Sequence, residues 1–376
     1  MSYSLSILVP TINRYPYLKE LIYLINSFNS LEIELVIQDN STDNSEFLSY
    51  LNKNKYPWIN YSYSSGYLTS VENFDKAVMN SKGEYLCFIG DDDGVVRNVT
   101  TYVYWMKKNN IDALRGGRSD YYWPETGING GFLYNDTISK KVQILKPITE
   151  LNYMLSNGCQ GLSKIPLLYT GIVKKSILEE IYKIGGTYFP GASGDIANGV
   201  ALCFLVKKYA YIENPIVISG TSRNTGGGVH KTKKRRLELT DVSFISKTTV
   251  TDWEKTIPPI WSGLLVCPES AIKALRYMSK EIYIDKVNLN LSLAAFAVKN
   301  KSYFNLAYRF AKSKSKFIFY FLFIIVKYVF TGVLDKVIRF KTQNKKCIGG
   351  DIHYNVKNIF DAENILYQKI GDIKDL

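Results

Sequence analysis

Four short apolar runs in the first ninety residues, separated by segments of helical periodicity, constrain the chain to an α/β sheet. Leu5–Pro10, Glu34–Asp39, Asn60–Ser64 and Tyr85–Ile89 have the length and apolar content of strands. Between them, Tyr15–Phe28 sets Leu18, Leu21, Ile22 and Ile25 at helical spacing, and Ser70–Ser81 reads as a helix that Gly83 closes. Strands alternating with helices of this length form βαβ units and a mostly parallel sheet. Ligands of such sheets sit beyond the carboxyl ends of the strands. Asp39 ends the second run and Asp91-Asp92-Asp93 follows the fourth, so both fall at that edge.

Downstream the pattern loosens. Asp112 to about Gly220 is less regular, with an aromatic stretch at Tyr121-Tyr122-Trp123 and a helical run over Ile196–Lys207. Gly220–Lys234 is rich in Gly, Ser and Thr and reads as a loop that can serve as a lid, since its three consecutive glycines impose little on the backbone. Ala271–Tyr308 reads as helical, and Lys316–Leu334 contains the most apolar stretch. A chain of 376 residues, 46% hydrophobic, buries one large core or two smaller ones. Its five cysteines are far apart with no CxxC pair, which argues against a zinc ribbon, a thioredoxin-type motif or a disulfide scaffold and fits a reducing compartment. No basic then apolar leader precedes Leu5, so the expected location is cytoplasmic.

A net charge of +13 resembles a nucleic-acid footprint until its distribution is examined. Residues 299–346 hold 12 of the 47 Lys+Arg and one of the 34 Asp+Glu, leaving +2 for the rest. A nearly neutral body argues against nucleic acid as a partner.

Three adjacent carboxylates repel one another unless a cation or hydrogen-bond donors compensate them. Oxygen-only ligands favour Mg²⁺ or Mn²⁺, which can bridge the phosphates of a nucleotide diphosphate. A solvated acidic turn is the plain alternative.

The set Ser6–Arg14 (Ser-Ile-Leu-Val-Pro-Thr-Ile-Asn-Arg), Val36–Ser45 (Val-Ile-Gln-Asp-Asn-Ser-Thr-Asp-Asn-Ser) and Asn73–Asp93, ending Phe-Ile-Gly-Asp-Asp-Asp, resembles family 2 glycosyltransferases of the GT-A fold, as found in bacterial surface polysaccharide (O-antigen or capsule) assembly. The resemblance covers roughly the first 115 residues. It implies an α/β, Rossmann-like GT-A domain over 1–265, with a nucleotide-binding half at 1–115 and an acceptor half at 116–265, followed by a C-terminal helical, basic and apolar region at 266–376. It implies that Pro10, Thr11 and Arg14 border the nucleotide and that Asp39 and Asn73 lie near base or ribose. As alternatives, Asp39 caps the following turn and Asn73 is a helix surface residue. The register of the triplet is open: either Asp91 and Asp93 form the outer pair, or Gly90 replaces the first Asp and Asp92 is the ligand. We assign Asp91 toward the ribose, and Asp92 and Asp93 to the metal.

Transfer to a hydroxyl needs a base, because a neutral alcohol is a poor nucleophile. Asp195, after a Gly-rich loop and before a helix, resembles the family's later catalytic carboxylate, although Asp also favours helix N-termini for structural reasons. His230 would complete the metal shell or contact the diphosphate, with Arg223 and Lys231 adding charge against the phosphates. A solvent-exposed loop histidine is the other reading. Tyr121–Trp123 can offer a flat surface to a sugar or simply fill the core.

The activity that the resemblance implies is inverting transfer from a nucleotide-sugar, a UDP-sugar first, to a polyprenyl-diphosphate-linked glycan. A sugar nucleotidyltransferase and a degenerate GT-A binding protein are the alternatives. Phe317–Val326 is ten unbroken apolar residues, and the stretch reaches about 18 with Lys327 the one charge, at the lower limit of a bilayer span. Arg309, Lys312, Lys316 and Lys327 form one polar strip, which fits a helix lying on an anionic membrane surface, the inner face of a bacterial inner membrane. Burial in a packing or homo-oligomer core is the competing expectation.

Overall fold

The computed structural model of the chain describes residues 3–127, 131–136, 138–223, 238–341 and 350–373, with the side chains of 330–341 excepted. The four N-terminal strands and the helices α1 and α3 fall where the sequence predicts, and α2 is a helix absent from that expectation: β1 (Leu5–Thr11), α1 (Tyr15–Ser27), β2 (Ile33–Asp39), α2 (Ser45–Asn54), β3 (Ile59–Tyr63), α3 (Ser70–Met79) and β4 (Tyr85–Phe88). Thr69 and Glu72 form a capping box that starts α3, each satisfying one end of the other's backbone. Next come β5 (Gly94–Val95), α4 (Val99–Lys108), β6 (Ala113–Arg115), β7 (Ser119–Tyr122), β8 (Phe132–Asn135), β9 (Val142–Leu145) and α5 (Pro147–Ser156). The middle of the chain adds β10 (Gly171–Lys174), α6 (Lys175–Gly185), α7 (Gly194–Leu205), β11 (Tyr209–Ile212) and β12 (Val217–Thr221). The remainder holds α8 (Lys247–Thr251), α9 (Gly263–Tyr277), α10 (Leu289–Lys299), α11 (Phe304–Phe310), α12 (Lys314–Lys341), β13 (Asp351–Tyr354) and α13 (Ile359–Ile370).

An eight-stranded sheet runs β3-β2-β1-β4-β10-β6-β11-β9. Its first four strands are parallel, with Thr11 paired to Asp39, so the ends of β1 and β2 finish level. Antiparallel β10 then reverses the sheet beside β4. Strands β1 and β2 are buried almost throughout, the mark of a sheet covered on both faces. A second sheet, β13-β8-β7-β12-β5, is not evident from the sequence because its strands are only two to five residues long. It turns Gly220, read above as the start of a loop, into a residue of β12.

The single helical stretch expected over Ala271–Tyr308 is instead α9, α10 and α11 with short breaks. These helices and the start of α12 form a core with α5 and α7. The last residues do not stay with them. Strand β13 pairs with β8, and Ile359, Ala362 and Leu366 of α13 enter the N-terminal core beside α1 and β5.

This return is pinned by charge. Fully buried Glu363 accepts from the backbone N–H of Arg97 at 3.0 Å, from its Nε at 2.9 Å, and from its Nη2. The Arg97 guanidinium also lies 3.9 Å over the Tyr367 ring. Arg97 follows β5 by two residues, so α13 fastens the segment that leaves the acidic triplet. Glu363→Ala leaves those donors without an acceptor and should cost about 2–3 kcal/mol, below the loss for a fully buried pair because Arg97 is partly exposed. Urea unfolding checks it, and a loss under about 0.5 kcal/mol would contradict the role assigned to α13.

Candidate active site

The triplet emerges from β4 into a tightly bonded corner. Asp91, Asp92 and Asp93 are each at most 5% exposed. Arg14, at the start of α1, places Nε 2.8 Å from Asp91 Oδ1 and Nη2 2.8 Å from Asp92 Oδ2. The Nε contact is an ion pair without the alignment of a hydrogen bond. Thr11 Oγ1 donates to Asp91 Oδ2 at 2.7 Å, and the Ser222 N–H donates to Asp92 Oδ2 at 3.1 Å. Asp93 turns inward, accepting from the N–H groups of Gly90 (2.7 Å) and Gly220 (2.6 Å) and from the Tyr169 hydroxyl (3.0 Å).

Three buried carboxylates thus share one corner with a single guanidinium, which pairs with Asp91 and Asp92. Burial, with Asp92 adding repulsion, pushes Asp91 and Asp93 up to about 7, although Arg14 works against this at Asp91. Asp92 is also raised by burial, with Arg14 the main opposing influence. The excess negative charge and the hard oxygen donors suit a divalent cation. Among the described residues no three His, Cys, Asp or Glu side chains converge as a metal cluster. An ion held by one or two carboxylates plus substrate phosphates needs no such cluster.

Pro10, Thr11, Arg14, Asn73, Asp91 and Asp92 all line one cleft of about 660 Å³. Asn73, on α3, keeps its Oδ1 buried without a partner, a polar atom available to a ligand. Asp39 is fully buried behind this cleft's wall. It accepts from the hydroxyls of Tyr15 (2.8 Å) and Tyr61 (2.7 Å) and from the Ser41 N–H (2.8 Å), while its neighbour Asn40 reaches the cleft. Arg223 is exposed, donating from Nη2 to the Glu125 carbonyl at 3.1 Å. His230 and Lys231 lie outside the described residues, as does most of the expected lid.

A smaller chamber of about 270 Å³ holds Asp195, in the first turn of α7. It shares Phe74, Phe88 and Tyr169 with the triplet's cleft, so the two carboxylate centres flank one aromatic wall. Asp195 Oδ1 accepts from Ser193 Oγ at 2.5 Å. The Ser193 N–H donates to Ser270 Oγ at 2.8 Å, and Ser270 Oγ donates to Glu269 Oε2 at 3.3 Å. The residue that leads into α7 and Asp195 is therefore hung on α9. Burial pushes the Glu269 carboxyl up to about 7, with Lys273 opposing. A third cavity of about 740 Å³, lined by Glu269 and Lys273, adjoins the Asp195 chamber through Ser70, Phe189 and Ala192.

Sequence reasoning missed Tyr169, Gly220, Ser222 and Ser270, because none stands in a motif. A Cβ on Gly220 would sit 1.8 Å from the Asp92 carbonyl oxygen, so only glycine lets β12 pass the triplet. The aromatic stretch is core rather than a sugar platform at Tyr121 and Trp123, which are 0% and 6% exposed. The Trp123 Nε1–H donates to the Asp92 carbonyl at 2.9 Å, bracing the triplet from behind.

Buried carboxylates and a guanidinium gather at the carboxyl ends of the parallel strands, the edge where α/β sheets take their ligands. Residues 6–159 match the Glycosyl transferase family 2 model. Abequosyltransferase RfbV of Salmonella typhimurium is 37% identical over 99 residues, 25% of this chain. The match spans 29% of that relative's length. Among solved structures, S. aureus TarS 1–349 in complex with UDP-GlcNAc superposes with a TM-score of 0.47 at 16% identity, covering 84% of this chain and 78% of TarS. Mannosyltransferase PcManGT from Pyrobaculum calidifontis, in complex with GDP-Man and Mn²⁺, gives 0.38 at 13% identity, with 82% and 85% covered.

Carboxyls held above the 3.8 of an ordinary Asp make the folded state bind protons that the unfolded chain has released. In chelator, stability should therefore fall as pH rises from about 4 through about 7. Asp93→Asn should flatten that fall, read as the difference between wild-type and variant melting temperatures across the range. Parallel curves would contradict the charge assignment.

Proposed function

We propose that the chain is an inverting glycosyltransferase moving a sugar from a nucleotide diphosphate, with a UDP-sugar the first donor to test, to a hydroxyl of a polyprenyl-diphosphate-linked glycan. The observation that carries this reading is the shared wall of Phe74, Phe88 and Tyr169 between the triplet's cleft and the Asp195 chamber. A donor diphosphate in the first and an acceptor hydroxyl in the second meet at that wall.

In this reading Thr11, Arg14, Asn40 and Asn73 bind the nucleotide end, and Asp39 stiffens that edge through its two tyrosines. Asp91 is directed to the ribose. Asp92 carries the metal with help from donor phosphates, while Asp93, spent on three internal donors, holds the turn that presents it; His230, Arg223 and Lys231 remain candidates to close the phosphate side. A bound Mn²⁺ or Mg²⁺ supplies charge to the departing diphosphate. Asp195 accepts the proton of the acceptor hydroxyl as its oxygen attacks the anomeric carbon, and Ser193 and Ser270 keep the carboxylate aimed. The third cavity, which adjoins the Asp195 chamber, has room for the acceptor's sugars.

The name of the Salmonella relative, a sugar transferase, supports the same class of reaction. Among the described residues no helix is long and apolar enough to cross a membrane. A peripheral seat on the cytoplasmic face of the inner membrane, through 299–346, would bring the site to a lipid-linked acceptor.

Asp195→Asn should lower kcat by about 10²–10⁴-fold while leaving donor affinity within about twofold. Single-turnover transfer and calorimetric titration with UDP and Mn²⁺ separate the two. Undiminished turnover would remove Asp195 from the mechanism.

A further inference from the structure

A further cavity lies away from the site. It is a cleft of about 1230 Å³ whose walls bring together Lys255, Arg276, Lys286, Arg309, Lys312 and Lys316. Three of these lie outside the basic segment noted in the sequence, so folding enlarges that segment's charge. Two carboxylates line the same cleft: Glu254, paired with Arg276 at 3.0 Å, and Asp285, 3.6 Å from Lys312. Among the described residues Lys255, Lys286, Arg309 and Lys316 make no ion pair. Like charges gathered around a concavity raise its potential and favour an anion.

Helix α12 leaves this cleft at Lys316 with two apolar faces. Phe317 and Ile324, with Tyr320 and Phe321, pack against the body, and the Asn288 amide donates to the Tyr320 hydroxyl at 3.1 Å. On the other face Phe319, Leu322, Phe323 and Val326 recur at helical spacing and are 56–65% exposed. A basic cleft one turn from an open apolar stripe has the layout of a membrane surface, headgroups at one level and acyl chains beneath.

We infer that this cleft is a seat for the phosphodiester headgroups of anionic phospholipids, which the exposed stripe of α12 anchors by entering the acyl boundary. This rests on the membrane-surface reading of the tail and adds a headgroup site made largely by residues outside it. It also sets an orientation. Glu254, Lys255 and Arg276 of the cleft adjoin Asp252 and Lys273 of the acceptor-side cavity along the same two chain segments. Docking there holds the acceptor-side cavity close to the bilayer.

The test is co-sedimentation of the full chain with vesicles of phosphatidylcholine alone or with phosphatidylglycerol. The wild type should partition at least about tenfold better into the anionic vesicles, an advantage that fades with salt. Lys255→Glu with Lys286→Glu should remove that advantage, and the milder Lys255→Gln with Lys286→Gln should lower it partway, with melting temperatures unchanged. If both pairs bind as wild type while Phe319→Ser with Phe323→Ser releases the protein, the headgroup seat is wrong and the membrane reading of the tail stands. Equal wild-type binding to both vesicle types likewise overturns the headgroup seat alone. No binding to either type overturns both.

Discussion

Everything at the proposed site depends on how the fold tolerates three buried carboxylates with one guanidinium to balance them. Ionised acids removed from water destabilise a protein strongly unless paired, so Asp91, Asp92 and Asp93 recruit donors from every neighbouring element. Arg14 comes from the turn after β1, Thr11 from β1 itself, Gly220 and Ser222 from the end of β12, and Tyr169 from the approach to β10. The corner is under-compensated even so, since all three carboxyls hold their protons to higher pH than an ordinary Asp. That residual charge gives a cation and its attached phosphates a reason to bind.

The second sheet and the returning C-terminus follow from the same constraint. Strand β12 must run against the triplet's backbone to deliver two N–H groups, which only Gly220 permits. Strand β7 pairs with β12, and the adjoining Trp123 supports the Asp92 carbonyl. Helix α13 covers β5 just beyond the triplet, and a Cβ on Gly94 would collide with its Ile359. Residues more than 260 positions apart thereby hold one turn in place, through Arg97 and Glu363.

Most of the first ninety residues were readable because the buried strands β1, β2 and β4 are short apolar runs and α1 and α3 carry helical periodicity. Parallel βαβ order put the ends of the second and fourth runs, Asp39 and the triplet, at one edge, and the family resemblance added Thr11, Arg14 and Asn73 to it. The sequence could not show that Asp39 is engaged by Tyr15 and Tyr61, since both partners are distant and each tyrosine looks like ordinary core. Nor could it show β5, β7, β8, β12 and β13, whose short runs lack a period, or the Ser193–Ser270 link, which joins a loop to a helix 77 residues later. In the tail the basic segment and the apolar run were plain, but Lys255, Arg276 and Lys286 join the cleft only through tertiary packing.

The central claim is that the triplet is completed by a divalent cation together with a donor diphosphate. Calorimetric titration of UDP into the full chain, with and without Mn²⁺, measures that coupling directly. Binding should strengthen by at least about tenfold, roughly 1.4 kcal/mol, when Mn²⁺ is present, and that gain should be lost in Asp92→Asn. Equal UDP affinity with and without the metal, or a full Mn²⁺ effect in Asp92→Asn, would contradict it.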